Sequence, residues 1–247
     1  MVLVTVVSLA AAVLVMLAAF AVSLRTGIHG GVDVAWGLGF AAVAAAAVAV
    51  TGQGWLVAAL TAVWGLRLAA HIARRYTGEE DPRYAEMLAG HGKLYALGKV
   101  YLTQAVALWF ISVPVQVAIW HGRVTWWSAL GVALWALGFV FETVGDRQLE
   151  RFRGDPATKG KVLDTGLWRY TRHPNYFGDA CVWWGLFALA CVHWTGWLTV
   201  LSPLLMTWFL ASKTGKPLLE KHLARTRPGY ADYVARTSSF IPRPPRA

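Results

Sequence analysis

Four acids lie where this chain is otherwise apolar: Asp33, Glu142, Asp146 and Asp179. Asp33, in "GGVDVAWGLGF", opens an apolar run. A carboxylate at depth in a bilayer costs up to about 3 kcal/mol. It therefore either serves a polar site or sits at a helix N-terminus, where the dipole favours it. Glu142 and Asp146 are four apart in "FETVGDRQLERFR" and share one helical face. Such a pair could bind a cation, carry a proton, or accept hydrogen bonds from ribose hydroxyls and a cofactor amide. With no histidine or third acid at matching spacing, a metal centre is not expected. Arg67, His71 and Arg74 follow at spacings of four and seven in "WGLRLAAHIARRY". A polar stripe of that kind on a membrane helix faces a bundle interior or a water-filled cavity. In the polar stretch "TGEEDPRYAEMLAGHGKLY", Asp81 and Pro82 start a short helix, and Tyr84 could supply a proton at a site mouth.

The densest set is "KGKVLDTGLWRYTRHPNYFGD". Lys159, Lys161, Arg169 and Arg172 are cations suited to phosphate, and His173 and Tyr176 are rings suited to stacking on a flat base. Asn175 can pair with an amide edge or a hydroxyl. An interfacial belt of Arg, Trp and Tyr uses several of the same residue types, but Asn175 and Asp179 do not serve such a belt. The equipment is that of a nucleotide-like cofactor site. No GxGxxG and no Gly-Lys-Ser/Thr stretch is present, so a soluble nucleotide-binding domain is excluded.

The elements that must position these residues are membrane helices. An apolar fraction of 57%, a charged fraction of 15% and 14 tryptophans are far from soluble averages. Apolar runs fall at 2–24, 32–50, 55–73, 100–120, 126–145, 180–194 and 197–211. The last two are short and could form a re-entrant pair, so the expected fold is an all-α polytopic bundle of six to seven transmembrane helices. Residues 1–125 form the substrate-side half. Residues 126–247 form the cofactor half, with a loop at 146–178 and a tail at 213–247. Of the 23 basic residues, 21 lie at alternate ends of the runs, leaving only Arg67 inside a span and Arg123 on the opposite side. With seven spans, that pattern puts the N-terminus outside and the cofactor loops and C-terminus in the cytoplasm. The net charge of +10 then reads as topology signal and affinity for anionic lipids rather than for nucleic acid. Cys181 and Cys191, ten residues apart on one predicted helix, are too far apart to pair.

"GLWRYTRHPNYFGD" with "WWG", then "SP", "GKPLLEKH" and "RPGYADYVARTSSFIP", resembles a group of bacterial membrane proteins related to the steroid 5α-reductases. The resemblance covers about residues 30 to 242. Its central motif is also similar to sterol Δ14-reductases and isoprenylcysteine carboxyl methyltransferases. The reductase resemblance implies NADPH-dependent reduction of a carbon-carbon double bond conjugated to a carbonyl in a lipid-like substrate. It implies cofactor contacts at or beside Arg67, Glu142, Asp146, Arg169, Arg172, Asn175, Tyr176, Asp179, Glu220, Tyr230 and Tyr233, and a substrate-facing acid at Asp33. Trp64 stands where those reductases carry a proton-donating tyrosine, so either Asp33 or Tyr84 takes that part or the chemistry differs. The methyltransferase resemblance implies S-adenosylmethionine as the alternative cofactor, using the same motif and the tail residues Glu220, Tyr230 and Tyr233. A membrane carrier is a third reading, but paired repeats are missing.

Overall fold

The apolar runs mix helix-favouring Ala and Leu with Val and Trp, which lose side-chain freedom in a helix, but in lipid only a helix lets such a segment satisfy its own backbone. In the computed structural model, which describes residues 1–76, 78–213 and 227–246, every regular element is helical and no strand occurs among the described residues. Among the described residues, six helical segments are long and apolar enough to cross a membrane: Val2–Thr26, Val32–Thr51, Trp55–Arg74, Lys93–Ile111, Ser128–Gly154 and Trp194–Ser212. The expected span at 180–194 is not among them. Its residues belong instead to a helix that begins earlier, at Pro174, and stops at Ala190 after 17 residues. Proline in the first turn lacks only an N–H that would be unpaired there, so "PNYFGD" winds into helix rather than remaining loop.

The chain divides into two compact units, Met1–Ser128 with Leu189–Ser202, and Ala129–Ala188 with Pro203–Ala247. In the first unit, α1 (Val2–Thr26) and α2 (Val32–Thr51) each end on a left-handed glycine, Gly27 and Gly52. α2 and α3 (Trp55–Arg74) cross at Gly37 and Gly65, where a Cβ on either glycine would lie 2.4–2.5 Å from the other's carbonyl oxygen. The short α4 (Pro82–Leu88) is capped by Asp81, which accepts a hydrogen bond from the Arg83 amide. α5 (Lys93–Ala96) runs through a π-wound turn, Leu97–Leu102, into α6 (Thr103–Ile111). The expected single run at 100–120 is broken at Ser112, and α7 (Val113–His121) follows. Pro114 causes the break by removing an amide from the ladder. Side chains serve the carbonyls on either side of the break: Ser112 Oγ and Gln116 Nε2 donate to Trp109 O, and Ser202 Oγ donates to Ile111 O. Membrane interiors tolerate a broken helix only with such repair.

The second unit is organised on α8 (Ser128–Gly154), which runs nine residues past its expected end at 145, and on α9 (Pro174–Ala190). The two helices meet along glycines. A Cβ on Gly138 would be 2.4 Å from Gly178 O, one on Gly178 would be 2.4 Å from Glu142 N, and one on Gly185 would be 2.6 Å from Trp135 N. Small residues let membrane helices approach backbone to backbone, where dispersion replaces the missing hydrophobic drive. α10 (Leu201–Trp208) and α11 (Tyr230–Arg236) complete the described helices.

Candidate functional site

In the first unit the two expected catalytic residues meet. α2 presents Asp33 in its first turn, and α4 brings Tyr84, whose Oη donates to Asp33 Oδ1 at 2.6 Å. Arg83 Nη2 donates to the other oxygen, Oδ2, at 2.8 Å, and also holds the Asp81 carboxylate. Gln104 Nε2 reaches Tyr84 Oη at 3.4 Å. Tyr84 is buried. Burial, then the Asp33 charge and the hydrogen bond to it, push the phenol well above the ordinary tyrosine value, so it keeps its proton at neutral pH. The Arg83 hydrogen bond holds the Asp81 carboxyl below its usual range.

The segment carrying Tyr84 is itself pinned. Glu80 accepts from the amides of His29 at 2.6 Å and Gly30 at 2.9 Å, tying it to the turn before α2. Glu80 and Gln104 were not anticipated as site residues. Their only sequence signals are an acid before a helix cap and an amide inside an apolar run. Trp64 is fully buried, edge-on to Phe40 at 5.5 Å. Arg67 is half-buried on α3 and belongs to this first unit.

The other expected cofactor residues that the structure describes lie in the second unit. Glu142, Asp146 and Asp179 are all more than nine-tenths buried. Asn175, in the first turn of α9, donates from Nδ2 to Asp146 Oδ1 at 3.1 Å. Its Oδ1 is buried and accepts no hydrogen bond among the described residues. The glycine seam makes this possible: Gly145 packs directly against the Asn175 backbone, and Gly178 against that of Glu142. His173 and Tyr176 stack in parallel with centroids 5.3 Å apart.

Arg172, expected as a cation suited to phosphate, is held by the tail. It is buried, its Nη1 donates to Val234 O and Thr237 O, and its amide donates to Ser238 O. Tyr233, also buried, donates from Oη to Trp168 O at 2.6 Å, and Trp168 Nε1 donates to Gly145 O. Thr171 Oγ1 donates to Phe240 O. The motif and the tail are thus sewn together, with Tyr230 buried beside Tyr233. Arg169 is exposed. Glu220 lies outside the described residues. Among the described residues no cluster of three potential metal ligands occurs.

The sequence model of a family described as "Protein of unknown function (DUF1295)" matches residues 19–237. An uncharacterised protein of Schizosaccharomyces pombe is 24% identical over 219 residues, covering 76% of this chain and 63% of that protein. The chain therefore spans less than two thirds of that curated relative. No solved structure matches.

Proposed function

The chain belongs to this DUF1295 family, and from that premise we propose that it is an integral membrane reductase. It uses NADPH to reduce a carbon-carbon double bond conjugated to a carbonyl in a lipid-like substrate. Its basic loops face the cytoplasm of a bacterial cell. The motif resemblance to steroid 5α-reductases gives the reading its direction. The observation that carries it is the Tyr84–Asp33 hydrogen bond, a protonated phenol held beside a carboxylate in a half-buried mouth.

NADPH, when bound, supplies the hydride that adds to the β-carbon. Tyr84 has a single phenolic proton, which Asp33 now accepts. The phenol would polarise a substrate carbonyl oxygen that takes Asp33's place in that bond and pass its proton to that oxygen as hydride adds, giving an enol that becomes the carbonyl product, and water would return a proton to the phenolate. Arg83 keeps the Asp33 carboxylate paired through its other oxygen, Oδ2, and Gln104 donates to the phenol oxygen.

The second unit supports a cofactor by its donor set. The buried Asn175 Oδ1 suits the N–H of a carboxamide, and the neighbouring acid Asp146 suits amide or hydroxyl donors. S-adenosylmethionine is the second reading, favoured by the same burial of Glu142, Asp146 and Asp179, because a sulfonium and an ammonium also seek carboxylates.

Thermal unfolding of the detergent-purified chain, with NADPH, NADH or S-adenosylmethionine each added alone, tests the proposal. Stabilisation by NADPH is expected. Stabilisation by S-adenosylmethionine without any by NADPH would overturn the reductase and leave the methyltransferase.

A further inference from the structure

Outside the buried acids, the second unit carries a groove of about 500 Å³ between the loop around Gly160 and the start of α11. Lys161 and Arg236 line it, with Asp164 and Asp232. Gly160 and Gly229, both left-handed at φ +86° and +77°, line it as well. A Cβ at Gly229 would meet nothing within 4 Å, and one at Gly160 only the tip of Arg227 at 4.0 Å. Bare backbone therefore borders open space beside two cations, in a volume that suits a nucleoside phosphate.

The wall of the groove is tied inward. Tyr233 lines it and bonds Trp168, Trp168 bonds Gly145, and the next residue, Asp146, bonds Asn175. Hydrogen bonds through the Trp168 and Gly145 carbonyls thus tie the groove wall, within one unit, to the helix turn that carries the buried acid and amide.

Resting on the NADPH reading above, we infer that this groove seats the 2′-phosphoadenosine end of the dinucleotide. Lys161 and Arg236 hold the 2′-phosphate, and Asp232 accepts from a sugar hydroxyl or the purine amine. In the free protein Arg236 is paired with Asp164, both side chains partly exposed. A phosphomonoester, with a charge of about −1.5 to −2 at neutral pH, outcompetes a single carboxylate for that guanidinium. Asp164 is therefore an internal competitor, and removing its charge tightens binding.

The test is calorimetric binding of adenosine 2′,5′-bisphosphate and of 5′-AMP to the full chain in detergent, a measurement independent of any turnover. The bisphosphate is expected to bind at least about tenfold more tightly than 5′-AMP. Lys161→Gln and Arg236→Gln each weaken it about tenfold, Asp164→Asn strengthens it, and Arg123→Gln, an exposed charge in the other unit, leaves it unchanged. Equal binding of the two nucleotides, or unchanged affinity in both the Lys161 and Arg236 variants, overturns the inference. If NADPH still stabilises the protein, the groove is wrong and the reductase stands. If only S-adenosylmethionine stabilises it, both fall.

Discussion

The mouth of the first unit and the acid cluster of the second are both polar islands in apolar helices, but they are held differently. At the mouth, Asp33, Arg83 and Asp81 form ion pairs with a third to a half of each side chain exposed. In the second unit, Glu142, Asp146, Asp179 and Arg172 are almost wholly buried, and the motif is sewn to the tail through backbone carbonyls. Exposed ion pairs contribute little to stability, whereas a buried charge left without its partners costs several kcal/mol. Residues at the mouth are thus separable from the fold, and those of the second unit are not.

Substitutions should expose that difference. The largest effect is expected at the glycine seam. Gly178→Val pushes a side chain into Glu142 N and should destabilise the second unit by about 3 kcal/mol, measured by thermal unfolding. Gly98→Ala, with open space around it, should change stability by less than about 1 kcal/mol. Next comes Tyr84→Phe. It should lower kcat of the reduction about 100-fold with the unfolding temperature nearly kept; full activity would dismiss Tyr84 as the proton donor. Arg172→Ala should cost about 2 kcal/mol and speed amide exchange across 230–246, whereas Arg83→Ala should stay within about 1 kcal/mol. Equal losses in the two arginine variants would erase the contrast.

The smallest effect is a titration. Tyr84's folded value lies above its unfolded one, so its neutral form is unaffected below the ordinary tyrosine range and opposes folding only as pH rises beyond it. Tyrosinate absorbance of wild type and Tyr84→Phe should therefore coincide up to about pH 11. A missing phenol signal near pH 10 in the variant would show that Tyr84 is not held neutral.

Much of this was legible in residue order. Long apolar runs specify membrane helices by themselves, and Asp81-Pro82 announces α4 through cap chemistry that depends only on neighbours. Asp33 and Tyr84 stood out because each is a costly or reactive type in an unusual place, but their meeting depends on Glu80 gripping the turn before α2, a contact across 50 residues that no local pattern carries. The break at Ser112 had a visible cause in Pro114, while its repair by Ser202 is long-range and was not readable. Arg172 illustrates the opposite difficulty. A cation in a cofactor-like motif suggests phosphate, yet its guanidinium serves the tail's carbonyls, and nothing in residue type separates those two uses. The seven-residue spacings Gly138–Gly145 and Gly178–Gly185 were the readable sign of the seam that sets Asn175 beside Asp146.

Whether the second unit holds the cofactor can be read from amide hydrogen exchange of the full chain with and without NADPH. With the cofactor bound there, exchange slows in 142–146, 160–176 and 228–237. Unchanged exchange in those segments under saturating NADPH would contradict it.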